Sequence, residues 1–448
     1  MKRILLLFLC ISITGKVAAQ KKLTLQEAIS VALQKNVTLT KMKNNFLNAE
    51  AQLKGAYGDL LPNLGVSGSW SWSRTIDKGV ETRDFLGNVI STAEQTIENR
   101  YYSLRAGGSV TLFDGLANYA NISQKKDNLK SAEYDLSKIK QNIVYTTTDY
   151  YYIVLNAEEL MRVRDENVQY YKKLYETIQE RNKLGSVTLA DVYTAQVQLG
   201  NAELSYIQTQ NQFESVKANL LNYLALNVLD EYSLVNPFSS DKSINTESYL
   251  NNFADMQTIV NTALDTRFDY KSQKLILNAA ENGIKIAQGG LFPSLSGDYG
   301  FSTSAINPNS LFNRSTYSLG LTLSLPIFSN FRIENQIQAA KINAMNVQED
   351  LFALERQIKI EIKQTYLDLV AAKKSLDVAV KNVSAAEETR KINQERYNLG
   401  SATLLDVLQA SRDYTDAMRN KINAIYEFYR QYDKLNNAIG RLDFTKYE

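Results

Sequence analysis

Apolar residues recur along this chain in two periods that alternate in a fixed order. From Ile358, residues Ile362, Thr365, Leu369, Ala372, Leu376, Ala379, Val383 and Ala386 follow at steps of four and three, the seam of a coiled coil. Leu136, Ile139, Ile143, Thr146, Tyr150, Ile153, Ala157 and Leu160 repeat the pattern earlier. None of the five prolines interrupts either stretch. Residues 116–184 and 330–398 are therefore predicted as nearly continuous helices, about 100 Å each at 1.5 Å rise per residue. Helices so long must bury their stripes against similar helices, and segments 24–60, 187–227, 255–289 and 402–440 are predicted as the partners.

Between the helices the period drops to two. Val66, Gly68, Trp70 and Trp72 alternate with Ser67, Ser69 and Ser71; Tyr102, Leu104, Ala106, Gly108, Val110 and Leu112 alternate with Ser103, Arg105, Gly107, Ser109 and Thr111. Later, Tyr299 and Phe301 alternate with Asp298, Gly300 and Ser302, and Tyr317, Leu319, Leu321, Leu323 and Leu325 with Ser318, Gly320, Thr322 and Ser324. Strands are predicted at about 63–73, 100–112, 294–303 and 315–326, each long enough to cross an outer membrane at a tilt. Pro62, Pro293 and Pro326 sit at the helix–strand junctions, where a helix must stop.

The helix, strand, strand, helix order occurs twice. Leu184-Gly185-Ser186-Val187-Thr188-Leu189-Ala190-Asp191-Val192 recurs as Leu399-Gly400-Ser401-Ala402-Thr403-Leu404-Leu405-Asp406-Val407, a shift of 215 that also carries Tyr102-Ser103-Leu104 onto Tyr317-Ser318-Leu319 and Phe113 onto Phe328. A shift of 231 carries Ala32-Leu33 onto Ala263-Leu264, Glu50 onto Glu281 and Pro62 onto Pro293. The difference falls where residues 73–99 face the shorter 303–314, which predicts a surface loop there. The chain thus divides into a first repeat, 20–227, a polar connector, 228–254, a second repeat, 255–440, and a tail, 441–448.

Lys2 and Arg3, the apolar run Ile4 to Ile13, and Val17-Ala18-Ala19 before Gln20 read as a signal peptide over residues 1–19, cleaved between Ala19 and Gln20. No other stretch approaches the roughly 20 apolar residues of a membrane helix, so any membrane crossing must use strands. Four strands leave open edges that lipid does not tolerate, and closure demands several chains. The fold class expected is a long α-helical coiled-coil barrel plus a transmembrane β-barrel, with the aromatic faces toward the lipid bilayer and Arg105 and Asp298 toward the barrel lumen. The plainer alternative is four strands of a soluble sandwich, one face buried and one wet.

Composition narrows the chemistry. The lone cysteine, Cys10, lies in the signal, and histidine is absent. That removes disulfides, imidazole metal sites and the commonest general base. Loss of Lys2, Arg3 and Lys16 with the signal turns the net charge of +2 into −1, which gives nucleic acid no basic surface. No nucleophile–base pair, phosphate loop or metal cluster stands at a meaningful spacing, so neither catalysis nor a cofactor is expected.

The repeated nonapeptide reads as a tight helical reversal. Gly185 and Gly400 suit the left-handed end of a helix, and Thr188 with Asp191, like Thr403 with Asp406, spells a capping box for the next helix. Several chains around one axis would also bring copies of Asp191 and Asp406 near one narrow end, where a carboxylate ring attracts cations and mutual repulsion raises some of their pKa values.

These tips, Arg181-Asn-Lys-Leu-Gly185 through Val192 and Arg396-Tyr397-Asn-Leu-Gly400 through Val407, with the Leu-Pro before each first strand and Phe113 and Phe328 after each second, resemble outer membrane efflux proteins of the TolC type over essentially the whole mature chain. The resemblance implies a homotrimer with a twelve-stranded barrel in the bacterial outer membrane, a periplasmic tunnel of twelve helices, and a belt formed by the connector and the tail. It implies an exit duct that works with a periplasmic adaptor and an inner-membrane pump on toxic small molecules; a duct for type I protein secretion and a non-pore periplasmic coiled-coil scaffold are the alternatives. By the same resemblance Asp406 belongs to the periplasmic constriction, where the carboxylate ring would also place Asp191, and Tyr397 is a gating tyrosine, while Ala402 and Gln409 stand where an arginine latch and a second aspartate can occur. Arg181, Gly185, Leu189, Arg396, Gly400 and Leu404 are the expected adaptor-docking residues.

Overall fold

The computed structural model describes residues 21–238, Tyr249, Phe253 and 255–447. The expected cleavage site, Ala19 and Gln20, and much of the connector lie outside the described residues. The described residues divide into two compact units, one holding residues 44–134 and 270–354, the other holding those described within 1–43, 135–269 and 355–448.

The first of these units is organised around a four-stranded antiparallel sheet. Its strands are β2 (Gly65–Asp77), β5 (Gln95–Phe113), β7 (Ser294–Ala305) and β8 (Ser315–Ser324), in the order β2-β5-β7-β8. The register aligns the alternation across all four strands: Ser67 faces Arg105, Arg105 faces Ser302, and Ser302 faces Thr316. One face is thus rich in Ser and Thr. The other carries Trp70 opposite Tyr102 and Phe301 opposite Tyr317, whose rings stand 5.2 Å apart. Trp70, Trp72, Tyr317, Leu319, Leu321 and Leu323 are all exposed on that face.

Residues 73–99 are not the surface loop their length variation predicts. β2 runs on to Asp77, β5 begins at Gln95, and Arg74 pairs with Glu98 across them; a two-stranded hairpin, β3 (Glu81–Arg83) with β4 (Val89–Ser91), closes the connection. Mostly polar cross-strand pairs, with Ile97 opposite Thr75 and Ile76 opposite Thr96, continue the ladder where no hydrophobic alternation marks it. At the opposite end Asn63 seats the start of β2: its N–H donates to the Ser109 carbonyl at 3.0 Å and its Oδ1 accepts from the Ser109 N–H at 2.8 Å. A Cβ on Gly108 would fall 1.9 Å from the Asn63 carbonyl oxygen, so only glycine admits this approach.

The helices of the second unit include α1 (Leu25–Lys35), much of α3 (Ala117–Lys183), α4 (Leu189–Tyr223), α5 (Met256–Thr266), most of α7 (Arg332–Asn398) and α8 (Leu404–Ile439). α3 and α7 are each 67 residues long. Along α7 the periodic residues from Ile358 to Val383 are all buried, each large aliphatic contributing about 2 kcal/mol. Along α3 the predicted stripe is only partly inside. Leu136, Ile139, Thr146, Tyr150 and Ile153 are half-buried, whereas Gln141, Val144, Thr147, Tyr151, Tyr152 and Val154 are buried. The connector and the tail cover that second side of α3.

Two predicted helices are each broken once. Residues 24–60 form α1 and α2 (Val37–Gly58), and residues 255–289 form α5 and α6 (Phe268–Gly289). The breaks fall at Asn36 and Arg267, both in extended backbone and 231 residues apart, so each repeat carries the same corner. Asn36 Oδ1 accepts from the Thr38 and Leu39 N–H groups to start α2. Arg267 is buried, donating to both Asp269 carboxylate oxygens, to Glu361 at 2.7 Å and to the Ala438 carbonyl at 2.8 Å.

The connector contributes a strand that its polar composition conceals: β6 (Tyr232–Leu234) pairs in parallel with β1 (Lys21–Leu23). Tyr151, on α3, serves this pair. Its hydroxyl lies 2.8 Å from the Leu23 carbonyl and 2.7 Å from that of Val235, and accepts from the Val235 N–H. Phe238 stacks on Tyr429 at 3.8 Å. The tail leaves α8 at Gly440 (φ +81), returns past Gln141, which donates to the Gly440 and Leu442 carbonyls, and sets Phe444 beside Phe268.

Candidate functional site

Two helical reversals lie together in one unit, α3–α4 and α7–α8. At the first, the Ser186 N–H donates to the Arg181 carbonyl at 2.8 Å and the Gly185 N–H to Asn182; at the second, Ser401 donates to Arg396 at 2.8 Å and Gly400 to Tyr397. Both are the Schellman arrangement that ends a helix, with Gly185 at φ +73 and Gly400 at φ +74. The next helix is capped the same way in each. The Thr188 N–H donates to Asp191 Oδ2 at 3.0 Å and the Thr403 N–H to Asp406 Oδ2 at 2.8 Å, with both threonine side chains returning the bond.

Asp191 and Asp406 are thus each held by their own cap. Hydrogen bonds from the Thr403 backbone and side chain push the exposed Asp406 carboxyl below the usual carboxylate range. Within one chain this opposes the upward push expected of a carboxylate ring.

The two reversals differ at the residue after the arginine. Asn182 uses its amide to donate to the Val187 carbonyl, whereas Tyr397 turns inward and Arg396 donates to the Ser401 carbonyl instead. Tyr397 packs in a buried cluster with Tyr171, Leu174, Ile178 and Val192 of the first hairpin and Leu404, Val407 and Leu408 of the second. Among the described residues its hydroxyl has no hydrogen-bond partner. Arg181 covers the ring from the first hairpin. Farther along, Arg390 lies between Tyr414, at 3.7 Å, and Tyr170, at 5.6 Å.

One expected docking residue is misplaced. Leu404 is 7% exposed and belongs to the shared cluster, while Leu189, its repeat equivalent, is 56% exposed. The second hairpin turns this position toward the first, and the first turns its own away. Leu184, Leu399 and Leu405 join Leu189 as exposed apolar residues of the tips. Periodicity gave no hint of them, because a single chain offers them nothing to pack against.

In the other unit Arg105 and Asp298 both fall on the polar face of the sheet, on neighbouring strands and four rungs apart: Arg105 is opposite Ser302, Asp298 opposite Ser109. No described helix is long and apolar enough to cross a membrane, whereas the apolar face of this sheet exposes Trp70 and Trp72 on β2 and Tyr317, Leu319, Leu321 and Leu323 on β8.

A family model described as outer membrane efflux protein matches residues 28–226 and 259–441. The chain belongs to that family. This outer membrane efflux protein is 21% identical to the outer membrane protein TolC of Salmonella enteritidis, over 99% of this chain and 87% of that one. It is 22% identical to the toluene efflux pump outer membrane protein TtgC of Pseudomonas putida, over 89% and 78% of the two chains. Its fold matches the CmeC outer membrane channel of Campylobacter jejuni with a TM-score of 0.76, covering 94% of this chain and 88% of that one at 20% identity. The efflux protein is accordingly an outer membrane channel component.

Proposed function

We propose that three copies of this chain close one twelve-stranded barrel in the outer membrane and extend it as a helical conduit, forming the exit duct of a tripartite pump for toxic small molecules. The observation that carries this reading is the pair of open edges, β2 and β8, on a sheet whose other face is apolar. Unpaired backbone groups in hydrocarbon cost several kcal/mol each, so each β8 must find another chain's β2. The exposed apolar stripe of α4, Leu189, Tyr193, Val197, Leu204 and Ile207, likewise awaits a neighbouring chain. The tips, with Arg181, Arg396, Gly185, Gly400 and Leu189, offer an adaptor hairpin leucine side chains and open glycine backbone, and an inner-membrane pump supplies the energy.

Asp406, with Asp191, supplies fixed negative charge at the periplasmic end, and Tyr397 holds the two hairpins together there. The low pKa of Asp406 keeps that charge into mildly acidic conditions. The test is reconstitution of the purified protein in planar bilayers, with cross-linking to count chains. Cation-selective channels from three-chain particles are expected, with Asp406→Asn shifting the reversal potential. Non-conducting particles would overturn the duct; an unchanged reversal potential would leave Asp406 its cap alone. Loss of the gene product is expected to sensitise cells to toxic small molecules.

A further inference from the structure

The polar face of the sheet carries a feature that a duct does not require. Arg105 on β5 and Arg314, two residues before Thr316 on β8, line one concavity of about 300 Å³ with Ser103, Ser302, Ser304 and Thr316. The register explains the meeting. Arg105 is opposite Ser302, Ser302 is opposite Thr316, and Arg314, in the bend just before β8, lines the same hollow. Thus two guanidinium groups and a bed of hydroxyls share one hollow, with no carboxylate in its wall.

Among the described residues neither arginine makes an ion pair. The nearest acid on this face of β7, Asp298, lies four residues from Ser302, about 13 Å along the strand. That exceeds the Debye length of about 8 Å at physiological salt, so Asp298 does little to neutralise the pair. Lipid phosphates meet the opposite, apolar face. What reaches this hollow is a solute in the lumen.

We propose that Arg105 and Arg314 form an anion subsite on the lumen wall of the barrel, taking phosphate- or carboxylate-bearing solutes in transit. This rests on the duct reading above. Arginine's planar fork matches such groups bidentately, and a concave wall lined by one sign of charge concentrates counter-ions. Arg105 stands eight residues from Phe113, where β5 ends, roughly 26 Å along the strand. The subsite thus lies far from the helix junction, toward the outer mouth.

The experiment uses full-length protein in planar bilayers at constant ionic strength, with inorganic pyrophosphate as the probe. Wild-type channels are expected to show a saturable fall in single-channel current. In Arg105→Gln/Arg314→Gln the half-blocking concentration should rise about tenfold, with the reversal potential in a KCl gradient moving toward cation selectivity. Arg105→Lys/Arg314→Lys should keep the wild-type reversal potential yet recover the block only in part, and it stands in for the glutamine variant should that fail to assemble. Arg74→Gln, on the opposite face, should behave as wild type. Equal block in wild type and both double variants, or conducting wild-type channels that pyrophosphate does not block, would overturn the subsite while leaving the duct intact. Wild-type particles that do not conduct at all would overturn both.

Discussion

The guanidinium of Arg181 lies over the ring of Tyr397, 5.1 Å from its centroid, and the same side chain donates to Asn398 Oδ1 at 3.2 Å. One residue of the first hairpin therefore grips two of the second. Arg181→Ala removes the stacking and the hydrogen bond together, a loss of about 1 kcal/mol at a partly exposed site. In planar bilayers this variant is expected to open several-fold more often than wild type, with Arg181→Lys intermediate because an ammonium lacks the planar face. Identical openings in all three would show that the grip does not hold the tips.

Gly400 separates strain from recognition. A Cβ there meets no atom within 4 Å, but the backbone is at φ +74. Gly400→Ala should therefore cost about 1 kcal/mol of left-handed strain and leave export intact in a toxicity assay. Gly400→Trp carries the same strain and adds an indole to the docking surface, so assembly should persist while export falls. Normal export by the tryptophan variant would move the adaptor elsewhere.

Asp433 makes the second unit sensitive to pH. It is partly exposed, yet the surrounding protein desolvates it and pushes its carboxyl up to about 7; hydrogen bonding with Tyr152 opposes the push and the charge of Asp149 adds to it. Asp149 itself pairs with Arg430 at 2.6 Å. A folded pKa above the unfolded one means that the folded chain holds the extra proton. Its contribution is fully present below the ordinary carboxylate pKa of about 4 and is lost as pH rises toward 7. Thermal midpoints of wild type should fall between pH 5 and 8, and Asp433→Asn should flatten that slope and raise the midpoint at pH 8.

Arg267 anchors the corner between α5 and α6. Its guanidinium is buried against Asp269 and Glu361, and a Cβ on Gly440 would meet its backbone at 3.2 Å. Arg267→Met leaves two carboxylates facing each other and should cost about 3 kcal/mol or more. The denaturant midpoint of detergent-solubilised protein measures this, and Arg267→Lys should recover part of the loss. A midpoint within experimental error of wild type would show the network to be dispensable.

The repeat, the long helices and the apolar strand bands are legible in the sequence because burial and lipid each impose a strict period. The capping boxes are legible because they are local. What stays hidden depends on distant partners. β6 forms because Leu23 and Tyr151 stand ready to pair with a polar connector, and the ends of β2 and β5 mix polar residues with Ile76 and Ile97, so no two-residue period marks them. Leu189 and Leu404 occupy one position of one motif, and only the neighbouring hairpin decides which is buried. Arg314 stands in the bend before β8, where no strand period marks its side.

The unpaired edges of β2 and β8 reach into genetics. If every barrel needs three competent chains, a cell making sound and edge-damaged copies in equal amounts builds only about one barrel in eight wholly from sound ones. A substitution that spoils one edge while leaving the other competent would then act as a dominant trait, because each damaged chain takes sound partners out of use.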